Sequence, residues 1–195
     1  MHALQDFGIS ALLVALAEMG DRTQLLTILL ATRYRKPFVI ILGVLVATIA
    51  NHLLAAAAGF YVSGLLDALW FRYLIGASFI AMALWVLIPD KESAEGEKTS
   101  HRGVFLTTVI AFFIVEMGDK TQIATAALAA RFSSIGIVAA GTTLGMMLAN
   151  VPAAYFGQAI TRVVPLAAMR YISAAIYAAL GIASLLETAG YLDGL

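Results

Sequence analysis

Ala11 to Lys36 reads ALLVALAEMGDRTQLLTILLATRYRK, an apolar run that carries Glu18, Asp21 and Arg22 near its middle. An α-helix needs about 20 apolar residues to cross about 30 Å of hydrocarbon, and this run is long enough. Each charge at the centre of such a helix costs about 2.5–3.5 kcal/mol on translocon scales. Two carboxylates and a guanidinium at mid-depth therefore call for a functional reason. The pattern occurs again: Glu18-Met19-Gly20-Asp21-Arg22-Thr23-Gln24 lines up with Glu116-Met117-Gly118-Asp119-Lys120-Thr121-Gln122 at a spacing of 98 positions. The same ungapped offset places Gly43 on Gly141, Gly59 on Gly157, Arg33 on Arg131, and Arg72-Tyr73 on Arg170-Tyr171. An internal duplication accounts for all of these matches at once.

Six apolar runs occupy residues 7–32, 37–62, 66–88, 103–131, 134–160 and 166–190. With 62% hydrophobic and 12% charged residues, against about 25% charged in soluble domains, the chain belongs to the membrane class. The expected fold is an all-α membrane protein of six transmembrane helices. Its halves are a first three-helix repeat at 1–88 and a second at 103–195, joined by a polar linker at 89–102. Three crossings per half make the second repeat inverted relative to the first, so equivalent mid-helix positions meet at the bilayer midplane. Met1 to Gly8 has no basic stretch, and the run that follows is long and internally charged, so it reads as helix one and not as a cleaved signal peptide.

The twelve basic residues set the orientation. Arg33, Arg35, Lys36, Lys91, Lys98, Arg102, Arg162 and Arg170 fall on one side, Arg72 and Arg131 on the other, and Arg22 and Lys120 within helices. The positive-inside rule puts the side with eight in the cytoplasm and both termini outside. The linker PDKESAEGEKTSHR is then cytoplasmic. A net charge of zero gives no sign of nucleic-acid binding, and the absence of cysteine excludes thiolate metal sites and disulfides.

On one continuous helix Glu18 and Asp21 are i and i+3 and share a face that Gln24 continues. Glu18, Asp21, Glu116 and Asp119 against Arg22 and Lys120 leave a formal charge of −2, which one divalent cation balances. The six side chains Glu18, Asp21, Gln24, Glu116, Asp119 and Gln122 offer an all-oxygen shell suited to manganese, calcium or magnesium. A low-dielectric cavity favours protonated carboxylates, so a site without an ion takes up protons that an arriving cation displaces. That is antiport chemistry. The metal is cargo, and no permanently bound cofactor is expected.

Arg22 and Lys120 balance charge, gate the site or snorkel toward a cavity. Gln24, Gln122, Thr23 and Thr121 complete the shell or serve as interhelical hydrogen-bond glue. Gly20 and Gly118 allow close helix contact or let the helix unwind and offer carbonyls. Asn51, His52 and Asn150 are secondary candidates on helices two and five, with His52 on Asn150 in the repeat register. Pro152 is expected to kink helix five. Trp70, Tyr73 and Trp85 read as interfacial belt residues, and Met19 and Met117 as packing.

The doubled Glu-x-Gly-Asp-(Lys/Arg)-Thr motif in a six-helix chain resembles the MneA-type bacterial manganese exporters. These are relatives of the eukaryotic Golgi calcium/manganese–proton antiporters in the lysine-exporter superfamily. The resemblance covers nearly the whole chain. It implies a multi-pass protein of the bacterial inner membrane that exports manganese(II) from the cytoplasm, with Glu18, Asp21, Glu116 and Asp119 as the cation-binding carboxylates. Its partners would be the metal ion, protons and the lipid bilayer; a homodimer stays open. Competing readings are an intramembrane aspartyl protease built on the two Gly-Asp elements, an exporter of cadmium or a cationic amino acid, and a non-transporting assembly factor.

Overall fold

The computed structural model describes residues 2–63, 69–88, 103–157 and 166–191, and these hold eight α-helices and no strand. They are α1 (His2–Glu18), α2 (Arg22–Tyr34), α3 (Pro37–Ser63), α4 (Leu69–Val86), α5 (Val104–Glu116), α6 (Lys120–Phe132), α7 (Ile135–Phe156) and α8 (Leu166–Thr188). The expected linker at 89–102, Arg162 and the side chain of Arg170 lie outside the described residues.

Among the described residues, four segments are long and apolar enough to cross a membrane: Pro37–Val62, Leu69–Val86, Ile135–Phe156 and Tyr171–Thr188. Large apolar side chains such as Phe38, Leu54, Leu84 and Leu148 stand exposed on them, as on helices that face lipid and not water. The pair α1 and α2 passes the same test together, bent by 68° at the break between them, and brings the spans to five. α5 is apolar but shorter.

Here the sequence expectation needs correction. Residues 7–32 and 103–131 are not single helices; each divides at its motif into a pair, α1 with α2 and α5 with α6. Glu18, Asp21 and Gln24 therefore do not lie along one helix face. The cause is local: Gly20 and Gly118 take φ +82° and +78°, a left-handed conformation that ends a helix and that glycine adopts without steric cost. The duplication extends to these details. α6 is α2 displaced by the repeat offset, and the helix-ending residues Arg35 and Ser133 share the left-handed conformation at φ 52° and 51°.

Each broken pair leans on the other half of the chain. α1 packs chiefly on α7 and α5 on α3, while α4 packs on α8 and α3 on α7. Close approach is allowed by glycine: Gly141 lies against Phe7 and Ser10, and Gly43 against their repeat equivalents Phe105 and Thr108. One turn beyond Gly141, Gly145 meets Ala11, Val14 and Ala15, so α1 and α7 run parallel. Likewise Asn51, two turns beyond Gly43, bonds to the Phe113 carbonyl, so α3 and α5 run parallel. The repeat equivalents Phe79 and Tyr177 stack on each other with centroids 6.4 Å apart in a buried apolar cluster that includes Leu13 and Leu128.

Pro152 sits inside α7, which continues to Phe156. Trp70 and Trp85, near the two ends of α4, are exposed, as belt residues would be.

The tightest backbone contact gives a test. A Cβ on Gly59 would strike the Ala126 carbonyl of α6, with its carbon at 2.6 Å, whereas Gly136 has nothing within 4 Å. Gly59→Ala should lower the stability of the detergent-solubilised protein by about 1–3 kcal/mol, because backbone cannot step aside as a side chain can. Gly136→Ala should be neutral or slightly stabilising. Equal unfolding temperatures for the two variants would contradict the packing.

Candidate cation site at the paired helix breaks

The motif works first as a turn. α1 ends at Glu18, Gly20 turns the chain, and Asp21 stands as N-cap of α2 in an extended conformation (φ −81°, ψ 165°); Asp119 does the same for α6 (φ −74°, ψ 163°). The Asp21 N–H donates to the Glu18 carbonyl at 3.0 Å and the Asp119 N–H to the Glu116 carbonyl at 3.1 Å. The glutamines close the turn from the other side. Gln24 Oε1 accepts from the Gly20 N–H at 2.9 Å, and Gln122 Oε1 from the Gly118 N–H at 2.6 Å. Irregular backbone at membrane depth survives only where such bonds are made within the protein, and the motif supplies them itself. Gln24 Nε2 also donates to the Ala149 carbonyl at 3.1 Å.

An N-cap aspartate ordinarily accepts from the first turn of its own helix. Neither Asp21 nor Asp119 makes a side-chain cap. Their carboxylates reach across the molecule instead: Lys120 Nζ lies 2.8 Å from Asp21 Oδ1, and Arg22 Nη2 lies 2.7 Å from Asp119 Oδ1. The bridges are reciprocal between the repeats but unequal in setting. The Lys120 side chain is 5% exposed and that of Arg22 38%.

Between the breaks, Glu18, Glu116 and Asp119 each present a carboxylate oxygen within 4.8 Å of the others, all three residues buried. Thr23 Oγ1 donates to Glu18 Oε2, while Glu18 Oε1 and both Glu116 oxygens have no hydrogen-bond partner among the described residues. Three clustered carboxylates, of which the two glutamates have unbonded oxygens, offer a donor set that a hard cation could take. The C-terminal ends of α1 and α5 lie at the glutamates, and their exposed carbonyl dipoles add to the negative potential.

The chain matches the GDT1 family model, described as "Divalent cation/proton antiporter GDT1", over residues 6–94 and 104–191. It belongs to that family. Among its relatives, a Vibrio cholerae protein described as "Putative manganese exporter" is 46% identical over 184 residues, covering 94% of this chain and 92% of that one. A GDT1-like protein of Synechocystis is 30% identical over 80% of this chain and 84% of its own length. GDT1-like protein 5 of Arabidopsis thaliana is 28% identical over 71% and 77%. No solved structure matches.

The remaining candidates of this GDT1 family member have partners of their own or stand apart. Thr121 Oγ1 donates to Asp119 Oδ2 at 3.4 Å. Asn150, buried on α7, accepts from Thr27 Oγ1 at 2.5 Å and donates to the Met146 carbonyl at 3.1 Å. His52 on α3 stands with Nε2 3.7 Å from Glu116 Oε2, both side chains fully buried. Met117 is turned out, 60% exposed. Asp21 and Asp119 are each ion-paired to the basic residue of the other motif, which a proton-sharing protease dyad does not need. Sequence reasoning passed over Thr27, whose hydroxyl ties α2 to α7. It also passed over Tyr177, fully buried on α8 with no hydrogen-bond partner for its hydroxyl among the described residues. A comparison of Tyr177 with its hydroxyl-free repeat equivalent Phe79 could have flagged it.

Proposed function

We propose that this chain exports manganese(II), with calcium(II) as the second candidate, from the cytoplasm in exchange for protons, through a site that the two repeats share. Membership of a divalent cation/proton antiporter family supplies the reaction class, and the name of the Vibrio cholerae relative supports the ion. The observation that carries the site is the buried cluster of Glu18, Glu116 and Asp119, with one carboxylate from the first motif and two from the second. Asp21 joins them when Lys120 releases it. Arg22 and Lys120 hold the aspartates while no ion is bound, and an arriving cation competes with them as well as with protons.

In this reading the chain has six crossings as two inverted three-helix repeats, 1–88 and 103–195, with both termini outside the inner membrane. Support comes from packing: α1 parallel to α7 and α5 parallel to α3 is the relation that inverted repeats require, because crossings one and five then point one way and two and four the other. Contact between the repeat equivalents Phe79 and Tyr177, and between Glu18 and Glu116, is what a pseudo-twofold axis at the midplane produces. Gln24 and Gln122 act at the turns, where their amide oxygens are already engaged, and add to the ion shell only if those turns open.

The test uses proteoliposomes holding a metal-sensitive and a pH-sensitive dye. Manganese movement should drive protons the opposite way, and an imposed proton gradient should drive manganese. Manganese flux without proton movement would remove the antiport reading, and calcium flux without manganese flux would remove the ion assignment.

A further inference from the structure

α3 carries three buried polar residues, Thr48, Asn51 and His52, each with a side-chain atom that finds no hydrogen-bond partner among the described residues. At i, i+3 and i+4 they share one face of the helix. Three threonines of the core, Thr108, Thr125 and Thr142, bond back to the carbonyl four residues earlier, the usual refuge of a helical hydroxyl. Thr48 Oγ1 does not. Asn51 Nδ2 donates to the Phe113 carbonyl at 3.3 Å, which fixes the amide and leaves Oδ1 unbonded. Both ring nitrogens of His52 are likewise unbonded.

At the matching positions the other half of the molecule is better satisfied, although Glu18 Oε1 too has no partner among the described residues. Asn150, the repeat equivalent of His52, is bonded at both ends of its amide, and Glu18, the equivalent of Glu116, accepts from Thr23. At the second motif the matching threonine, Thr121, bonds Asp119 instead, and Glu116 is left with two unbonded oxygens beside an unbonded imidazole. Buried polar atoms are almost always paired, so a concentration of orphans on one side of a symmetric site points to a ligand that pairs them. The distance agrees. Nε2 of His52 and Oε2 of Glu116 are 3.7 Å apart, too far for a hydrogen bond. Two donors at about 2.2 Å from one ion stand about 3.1 Å apart when adjacent and about 4.4 Å apart when opposite.

We propose that Glu116 is shared between the three-carboxylate cluster and a second ion position on the α3 face, where His52 gives a nitrogen donor and Asn51 and Thr48 give oxygens, and that this position favours manganese(II) over calcium(II). The proposal rests on the cation-transport reading above. Calcium takes oxygen ligands almost exclusively, whereas imidazole suits first-row transition ions, so one nitrogen tilts a site of otherwise hard oxygens toward the latter. The three-carboxylate cluster has no such bias of its own.

Pulsed electron paramagnetic resonance on the full chain in detergent, loaded with manganese(II) alone, reads nitrogen hyperfine coupling directly. The coupling should be present in the native protein and absent in His52→Gln. In proteoliposomes the same variant should raise the half-saturating manganese concentration about tenfold more than that of calcium, since even groups outside the ligand shell shift metal affinity by about 10–100-fold. Manganese bound without nitrogen coupling, or equal shifts for the two ions, would overturn the nitrogen donor and leave the export reading standing. A native protein that neither binds nor moves manganese would overturn the export reading itself. The native spectrum decides the point even if His52→Gln fails to fold.

Discussion

Glu18→Gln and Glu116→Gln are each expected to reduce manganese flux by about 100-fold or more while leaving the protein as stable as before, or more stable. Each glutamate contributes an oxygen to a cluster confined within 4.8 Å, with Asp119 as its third member. An amide keeps the shape of the side chain but removes the charge that a divalent ion needs, and a ligand should cost at least the upper end of the roughly 10–100-fold that outer-shell groups cost. Stability should move the other way. Both glutamates are fully buried, and neither takes part in the two short bridges to Lys120 and Arg22, so their ionised forms add repulsion without a compensating cation of their own. Glutamine at position 18 can still accept from Thr23. Flux assays paired with unfolding temperatures in detergent check this, and flux lost only in proportion to lost stability would make the carboxylates structural.

The second large effect concerns the buried bridge. Lys120→Met should destabilise the protein by about 3–5 kcal/mol, because it removes the ammonium 2.8 Å from an Asp21 carboxylate whose side chain has no exposure. Arg22→Met should cost less, since the Arg22 side chain is already 38% exposed and its bridge to Asp119 is less enclosed than that of Lys120 to Asp21. The double variant Asp21→Asn with Lys120→Met should recover most of the loss, as neutral groups of similar volume often replace a buried pair without penalty. Thermal unfolding of the three proteins measures the order. A double variant no more stable than Lys120→Met would mean that the bridge is not the reason for the cost.

The repeat that frames the candidate site is legible in the sequence. The offset that carries Glu18 onto Glu116 also carries α2 onto α6 and Arg35 onto Ser133, so the repeat seen in letters is the repeat seen in backbone angles. One continuous helix face is too simple a reading of the same motif. Its own residues held the contrary signal, a glycine followed by an aspartate, which is how one helix ends and another begins. Hydropathy hid it, because the apolar run continues through the break and a window average sees only lipid.

Membership of the membrane class, the apolar runs, the duplication and the identity of the ionisable residues at its centre followed from the sequence alone. Transfer free energy is summed residue by residue along the chain, so composition and order suffice to read it. The tertiary structure alone decided that Asp21 answers to Lys120 and Asp119 to Arg22. It also decided that three of the four carboxylates converge while one is held aside, and that His52 and not Asn150 faces an unbonded glutamate. These outcomes depend on hydrogen bonds and ion pairs a few ångströms long between residues dozens to about a hundred positions apart. Which atoms come within that range is set by the packing of α1 on α7 and α5 on α3, and no spacing in the chain encodes it.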